Sequence, residues 1–117
     1  KENKMENLGN IIISPNVVKD IVIETLKEVE NVKGISSQRV KNEIFSFFKG
    51  NSKKNIEVEM GETECFVDLA IVVLYGCEIK KVALEVQKIL SQKINEFTGI
   101  SVREINVTID QVVKGRG

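Results

Sequence analysis

The stretch that decides the fold is residues 55–75, NIEVEMGETECFVDLAIVVLY. Ile56, Val58 and Met60 alternate with Glu57 and Glu59, the period-two pattern of a strand with one apolar face. Gly61-Glu62-Thr63 then supplies turn residues, and Glu64 to Tyr75 resumes an extended, β-branched run. The two runs predict a β-hairpin. Cys65, Val67, Leu69, Ile71 and Val73 are expected to face the core. Phe66, Asp68, Ala70, Val72 and Leu74 fall on the opposite face.

Working outward, the strongest helical period follows the hairpin. Ile79, Val82, Ala83, Val86, Ile89, Leu90, Ile94 and Phe97 form one stripe over about Glu78 to Thr98, closed by Gly99. A last strand is expected from about Ile100 to Val113, with Ile105, Val107 and Ile109 inward. Ile100 and Val102 have the opposite parity, which predicts a bulge near Arg103. Upstream, Asn10 to Ile13 reads as a short β-branched strand. Ser14-Pro15 is a helix start, with Ser14 as N-cap and proline where its missing N–H costs nothing. Val18, Ile21, Val22, Thr25, Val29 and Val32 then form a helical stripe, with Gly34 as the expected left-handed stop. Gln38 to Phe48 reads as a short helix carrying Phe45, Phe47 and Phe48 among basic residues, broken by Gly50-Asn51-Ser52.

The expected order is therefore β-α-(short α)-β-β-α-β with about four strands. Two amphipathic helices need a sheet to cover, so the fold class is α+β, a two-layer sandwich with both main helices on one face. The chain of 117 residues makes one domain. Residues 1–8 are expected as a flexible tail, 9–113 as the domain and 114–117 as a C-terminal tail.

Charge narrows the function classes. Seventeen basic residues balance seventeen acidic ones, which argues against holding nucleic acid by bulk charge. The chain has no His, which excludes Ser-His catalysis, an imidazole base and His metal ligands. The balance hides an asymmetry. Lys33, Arg39, Lys41, Lys49, Lys53 and Lys54 stand against Glu43 alone in residues 33–54, a net of +5. Glu57, Glu59, Glu62, Glu64 and Asp68 give residues 55–68 a net of −5. Adjacent opposite blocks read either as solvated patches that neutralise each other or as a basis for charge-complementary assembly.

Candidate chemistry is sparse. Cys65 and Cys77 sit near opposite ends of one strand, too far apart for a bridge, and Cys-x11-Cys is no zinc spacing. Glu57, Glu59 and Asp68 form the one candidate carboxylate cluster, without a calcium-loop pattern around it. Lys49-Gly50-Asn51-Ser52-Lys53-Lys54 lacks the spacing of a phosphate loop. No apolar run approaches the roughly 18 residues of a membrane span. No catalytic residue, cofactor or metal is expected. What remains is surface. If both helices cover one sheet face, Phe66, Ala70, Val72 and Leu74 lie on the other. With Phe45, Phe47, Phe48, Lys49, Lys53 and Lys54 they form the candidate surface for self-association or a partner. The alternatives are a scatter of exposed apolar atoms or a cover supplied by residues 37–48.

The order and spacing of several segments resemble the alkaline shock protein family. They are Gly9-Asn10-Ile11-Ile12-Ile13-Ser14-Pro15-Asn16-Val17-Val18, Glu28 to Ile35, Ile56-Glu57-Val58-Glu59, Val67 to Gly76, Val82 with Glu85-Val86-Gln87, and Thr98-Gly99-Ile100 through Val107. The resemblance covers residues 9–110 and departs from the family mainly at 36–54, and at Cys77 and Lys80. It implies a non-enzymatic bacterial protein of cell-envelope homeostasis and stress response, cytoplasmic or peripheral to the membrane through a partner. It also implies, as a partner, a small membrane-anchor protein, while the candidate surface and the charge layout lead to the expectation of a homo-oligomer. Alternatives are a nucleic-acid-associated module using the 49–54 loop and a regulator linked to fatty-acid synthesis. No specific nucleic acid and no integral membrane span are expected.

Overall fold

The computed structural model describes residues 8–36 and 50–115. It is a two-layer α+β sandwich: a four-stranded sheet with both long helices on one face. The helix expected over Gln38–Phe48 lies outside the described residues, and Gly50–Asn55 is a short 3-10 turn.

Helix α1 spans Pro15–Leu26 and starts where the sequence says it should. The Ser14 hydroxyl accepts the Asn16 N–H at 3.0 Å, and Pro15 holds the first position. Val18, Val22, Thr25 and Leu26 are buried. The helix stops eight residues before Gly34, however. Asn31, at φ 75°, makes the left-handed reversal expected of that glycine, a conformation asparagine tolerates better than most residues. Val29 and Val32 still reach the core, from a turn and from strand β1 (Val32–Ile35) rather than from the helix. Gly34 lies within β1, beside an irregularity opposite Val72 and Val73.

Strands β2 (Ile56–Met60) and β3 (Glu64–Leu74) form the expected hairpin, in unbroken antiparallel register from Ile56 opposite Leu69 to Met60 opposite Cys65. The turn closes with the Gly61 N–H on the Glu64 carbonyl at 2.7 Å. Helix α2 (Ile79–Thr98) ends at Gly99, which at φ 78° donates its N–H to the Asn95 carbonyl. It leads into β4 (Ser101–Val113), parallel to β3 along its whole length. Parallel neighbours need such a helical crossover. The register skips at Arg103, as the parity change predicts, and again at Asp110.

A strand has two edges. β4 fills one edge of β3 from end to end. On the other edge β2 pairs residues 65–69 and β1 pairs residues 71–73. β1 and β2 therefore lie end to end, two halves of one strand that parts at Ala70. Among the described residues, Ser36 ends the first half at that point and Ile56 begins the second. The first expected strand is thereby displaced. Asn10 to Ile13 forms no strand and pairs with nothing among the described residues. Its β-branched side chains favour extended backbone, but a ladder needs a free edge, and residues 32–35 have taken the place.

Both helices press on one face of this sheet. Val18, Val22 and Leu26 of α1 and Val82, Val86, Leu90 and Ile94 of α2 share a cluster with Cys65, Val67, Leu69, Ile71 and Val73. Three members of the expected α2 stripe stay outside it, half-buried Ala83 among them. Ile79 and Phe97, in the first and last turns, are exposed, because the i, i+4 row through Val82 to Ile94 carries the contact. The Gln87 side chain donates to the Ile105 carbonyl at 3.0 Å and ties α2 to β4. Leu90 is fully buried at the centre of this interface. Leu90→Ala should cost about 2–5 kcal/mol, read as a lower urea midpoint at unchanged slope. Ser14→Ala should cost about 1 kcal/mol in the same assay.

Candidate functional site

The face of the sheet turned away from the helices divides into two parts. Its lower half lies on the hairpin. Residues opposite in register share a face, so two cross-strand rows form there: Glu57, Asp68, Asn106 and Glu59, Phe66, Glu104. Four carboxylates thus surround a half-buried phenyl ring. Asn106 donates to Glu104 at 3.3 Å. Lys19 of α1 and Lys54 line the same shallow concavity from the β2 side. Like charges directly opposite disfavour pairing. The hairpin register is held from the other side, where Ile56, Val58 and Met60 meet the core.

The upper half is closed. Ala70 is 2% exposed and Val72 0%, although neither belongs to the cluster beneath the helices. The expectation of an open apolar patch at these two residues is corrected. One cause is visible. Ser36 continues from β1, its N–H on the Ala70 carbonyl at 2.8 Å. Its hydroxyl donates to a carboxylate oxygen of Asp110, the bulged residue of β4. β1 and β4 flank β3 on opposite sides, so this hydrogen bond crosses over the central strand at Ala70. The small side chain leaves room beneath it. Leu74, at the end of the strand, is half-buried, its Cδ1 close to Gly115.

The remaining candidates are scattered. Phe45, Phe47, Phe48 and Lys49 lie outside the described residues, as does any cover from residues 37–48. Lys53 is not presented to solvent alone: its ammonium sits 3.0 Å from Asp20 of α1. Lys54 is exposed. Phe66 is therefore the one apolar member of the candidate surface that is both described and placed among charged groups. Among the described residues no group of three or more acidic or thiol side chains is arranged to hold a metal ion. Cys65 is buried in the core, and that burial pushes its thiol pKa up. Cys77 is half-exposed, and the two are free thiols.

Two features escaped the sequence. The Ser36–Asp110 link joins residues 74 apart, from β1 to β4 across the central strand. A second shallow groove lies between the helices. Ile21, Thr25 and Phe97 line it, with Asp20 and Glu24 of α1 and Glu28 in the turn that follows. That i, i+4, i+8 row of acids was legible in the chain, but its neighbour Phe97 was expected in the core.

Two measurements test this geometry. Ser36→Ala and Asp110→Asn should each destabilise the fold, and the double variant should lose less than their sum. A coupling of about 1.5–3 kcal/mol is expected for a hydrogen bond to a charged group. A thiol reagent at neutral pH should modify Cys77 and leave Cys65 untouched until unfolding. Because the folded pKa of Cys65 is raised, its contribution to stability is complete below the ordinary thiol pKa. It should fade as pH climbs through that value toward the folded one.

Comparison with known proteins agrees with this architecture. The model of the alkaline shock protein family, described by a cell envelope-related function, matches residues 3–114. YqhY of Bacillus subtilis is 30% identical over 103 residues, covering 88% of this chain and 76% of that protein. YloU of the same organism is 24% identical over 106 residues, covering 89% and 88%. Spy1535 of Streptococcus pyogenes is 22% identical over 109 residues, covering 92% and 82%. Among solved structures, MamM-CTD 215–293 superposes with a TM-score of 0.52 at 11% identity, covering 84% of this chain and 99% of that one. At that identity the likeness is one of fold.

Proposed function

The chain belongs to the alkaline shock protein family, whose function is cell envelope-related, and from that membership we propose that it is a non-enzymatic scaffold of the cytoplasmic membrane face. In this reading it associates with itself and docks a protein partner. The observation that carries the reading is the open lower half of the sheet, where Phe66 lies among Glu57, Glu59, Asp68 and Glu104. A ring framed by carboxylates on a shallow surface suits a macromolecule with basic groups around an apolar anchor. Small-molecule sites are more often enclosed.

The basic loop supports a nucleic-acid reading less well. Lys53 is engaged by Asp20, and Lys54 faces a concavity that also holds Glu57 and Asp68. Phe66 is also the one aromatic ring on this sheet face among the described residues, where a stacking platform for bases uses two or more.

Affinity capture from native membranes tests the proposal. The wild-type chain should retain a partner that Phe66→Ser and a Glu59→Lys, Glu104→Lys double variant lose, with their unfolding midpoints close to wild type. Capture that survives both changes would remove this face from the proposal. An RNA titration is the control: a scaffold shows no steep loss of affinity with salt, because it has no specific RNA affinity to lose.

A further inference from the structure

The most exposed large apolar side chains among the described residues lie just before α1. Leu8 and Ile11 are 91% exposed and Ile12 86%. Ile13, next to the Ser14 cap, is half-buried. Residues 9–14 belong to no helix or strand, and no charged residue occurs from Leu8 to Val18. Val17, in the first turn of α1, is exposed as well. One exposed aliphatic side chain is ordinary, but several on a short uncharged stretch mark a contact surface.

The topology places this stretch at one end of the helix layer. The Leu74 N–H donates to the Asn31 carbonyl at 2.9 Å, so the chain leaves α1 at the end of β3 far from the hairpin turn. The first half of α1 lies beside β2. Asp20 meets Lys53, just ahead of that strand, and Lys19 lines a concavity with Val58 and Glu59. α1 therefore begins toward the hairpin turn. α2 ends there too, since Ser101, two residues past Gly99, donates its N–H to the Thr63 carbonyl at 3.1 Å. Phe97, in the last turn of α2, stands at that end beside Ile21 of α1 and is 67% exposed. The Lys93 ammonium lies 5.9 Å from the centre of its ring. An uncharged aliphatic stretch and an aromatic ring with a lysine over it are thus gathered at one end. The acidic rows around Phe66 lie on the other face of the sheet.

We propose that Leu8, Ile11 and Ile12 insert into the interfacial layer of a phospholipid bilayer. A bilayer asks for apolar area and not for a shaped complement. This stretch has the area, with no helix or strand to give it a fixed shape. A protein interface, by contrast, is packed at its centre as closely as a protein interior. The stretch is uncharged and the chain has no net charge, so the contact is made by burying side chains and not by attraction to acidic headgroups. Three aliphatic side chains hold no more carbon than one myristoyl chain, which alone gives marginal binding of about 10⁴ M⁻¹. Copies joined in one assembly add their contacts. The inference rests on the reading of this chain as a scaffold of the membrane face, and it makes the lipid surface a contact in addition to the protein partner.

Fluorescence reads the contact directly, because the chain has no tryptophan. The emission of Ile12→Trp should shift to the blue when phosphatidylcholine vesicles are added, and brominated acyl chains should quench it. Leu84→Trp, at an exposed site on α2, should do neither. In vesicle flotation the wild-type chain should bind, and an Ile11→Ser, Ile12→Ser double variant should bind at least about tenfold more weakly. Tyr75→Ser, exposed at the far end of β3, should bind as wild type does. Unfolding midpoints should agree, since these side chains lie outside the core. Raising the salt should change binding by less than about threefold. A wild-type chain that does not float with the vesicles, or an Ile12→Trp emission that stays unshifted, overturns the inference. Binding that survives the double variant overturns it too. A blue shift that grows with protein concentration in the absence of vesicles would show a second copy covering the stretch and refute the lipid contact. None of these results bears on partner capture through Phe66, so the docking reading stands or falls by its own test.

Discussion

The two edges of β3 are the constraint on which the rest of the structure depends. An eleven-residue strand at the middle of a sheet must have its backbone groups satisfied on both sides, because burial without partners costs more than the fold can spare. β4 meets the need on one side in a single pass, which forces a parallel arrangement and the long α2 crossover. On the other side the need is met in two pieces, β1 and β2. The two pieces meet opposite Ala70. The closed upper half of the outer face and the open lower half both follow from this division.

The division also separates roles along the sheet. Where β1 and β4 flank β3, Ser36 and Asp110 reach over the central strand, and Ala70 and Val72 are withdrawn from solvent. Where β2 and β4 flank it, the side chains are long and charged, and Phe66 stands among them. A family with a cell envelope-related function thus has, in this member, one sheet end built for internal closure and one that faces outward.

Much of this was legible in the chain because short-range periodicity carries it. The hairpin, α2 with its glycine stop, the Ser14-Pro15 start and the bulge at Arg103 each rest on residues within a few positions of one another. The misreadings have a common cause. Val29 and Val32 keep helical spacing with Val18 and Val22, yet they reach the core after Asn31 has turned the chain. Spacing reports which side chains are buried, not which backbone conformation delivers them. Asn10 to Ile13 is a strand by composition, but pairing depends on an edge that other residues occupy. Phe97 has the right period and sits one turn past the contact.

The fold class, the helix-side core and the charge layout could be read from the residues alone, and the spacing of the motifs pointed to the family. All are set by local pattern: alternation buries one side of a strand, and a period of 3.6 buries one stripe of a helix. Only the tertiary structure decided that β1 replaces the expected first strand, that Ala70 and Val72 are covered and that Lys53 is engaged by Asp20. These depend on which segments compete for the same edge and which distant side chains meet, and those contacts exist only once the chain has closed on itself.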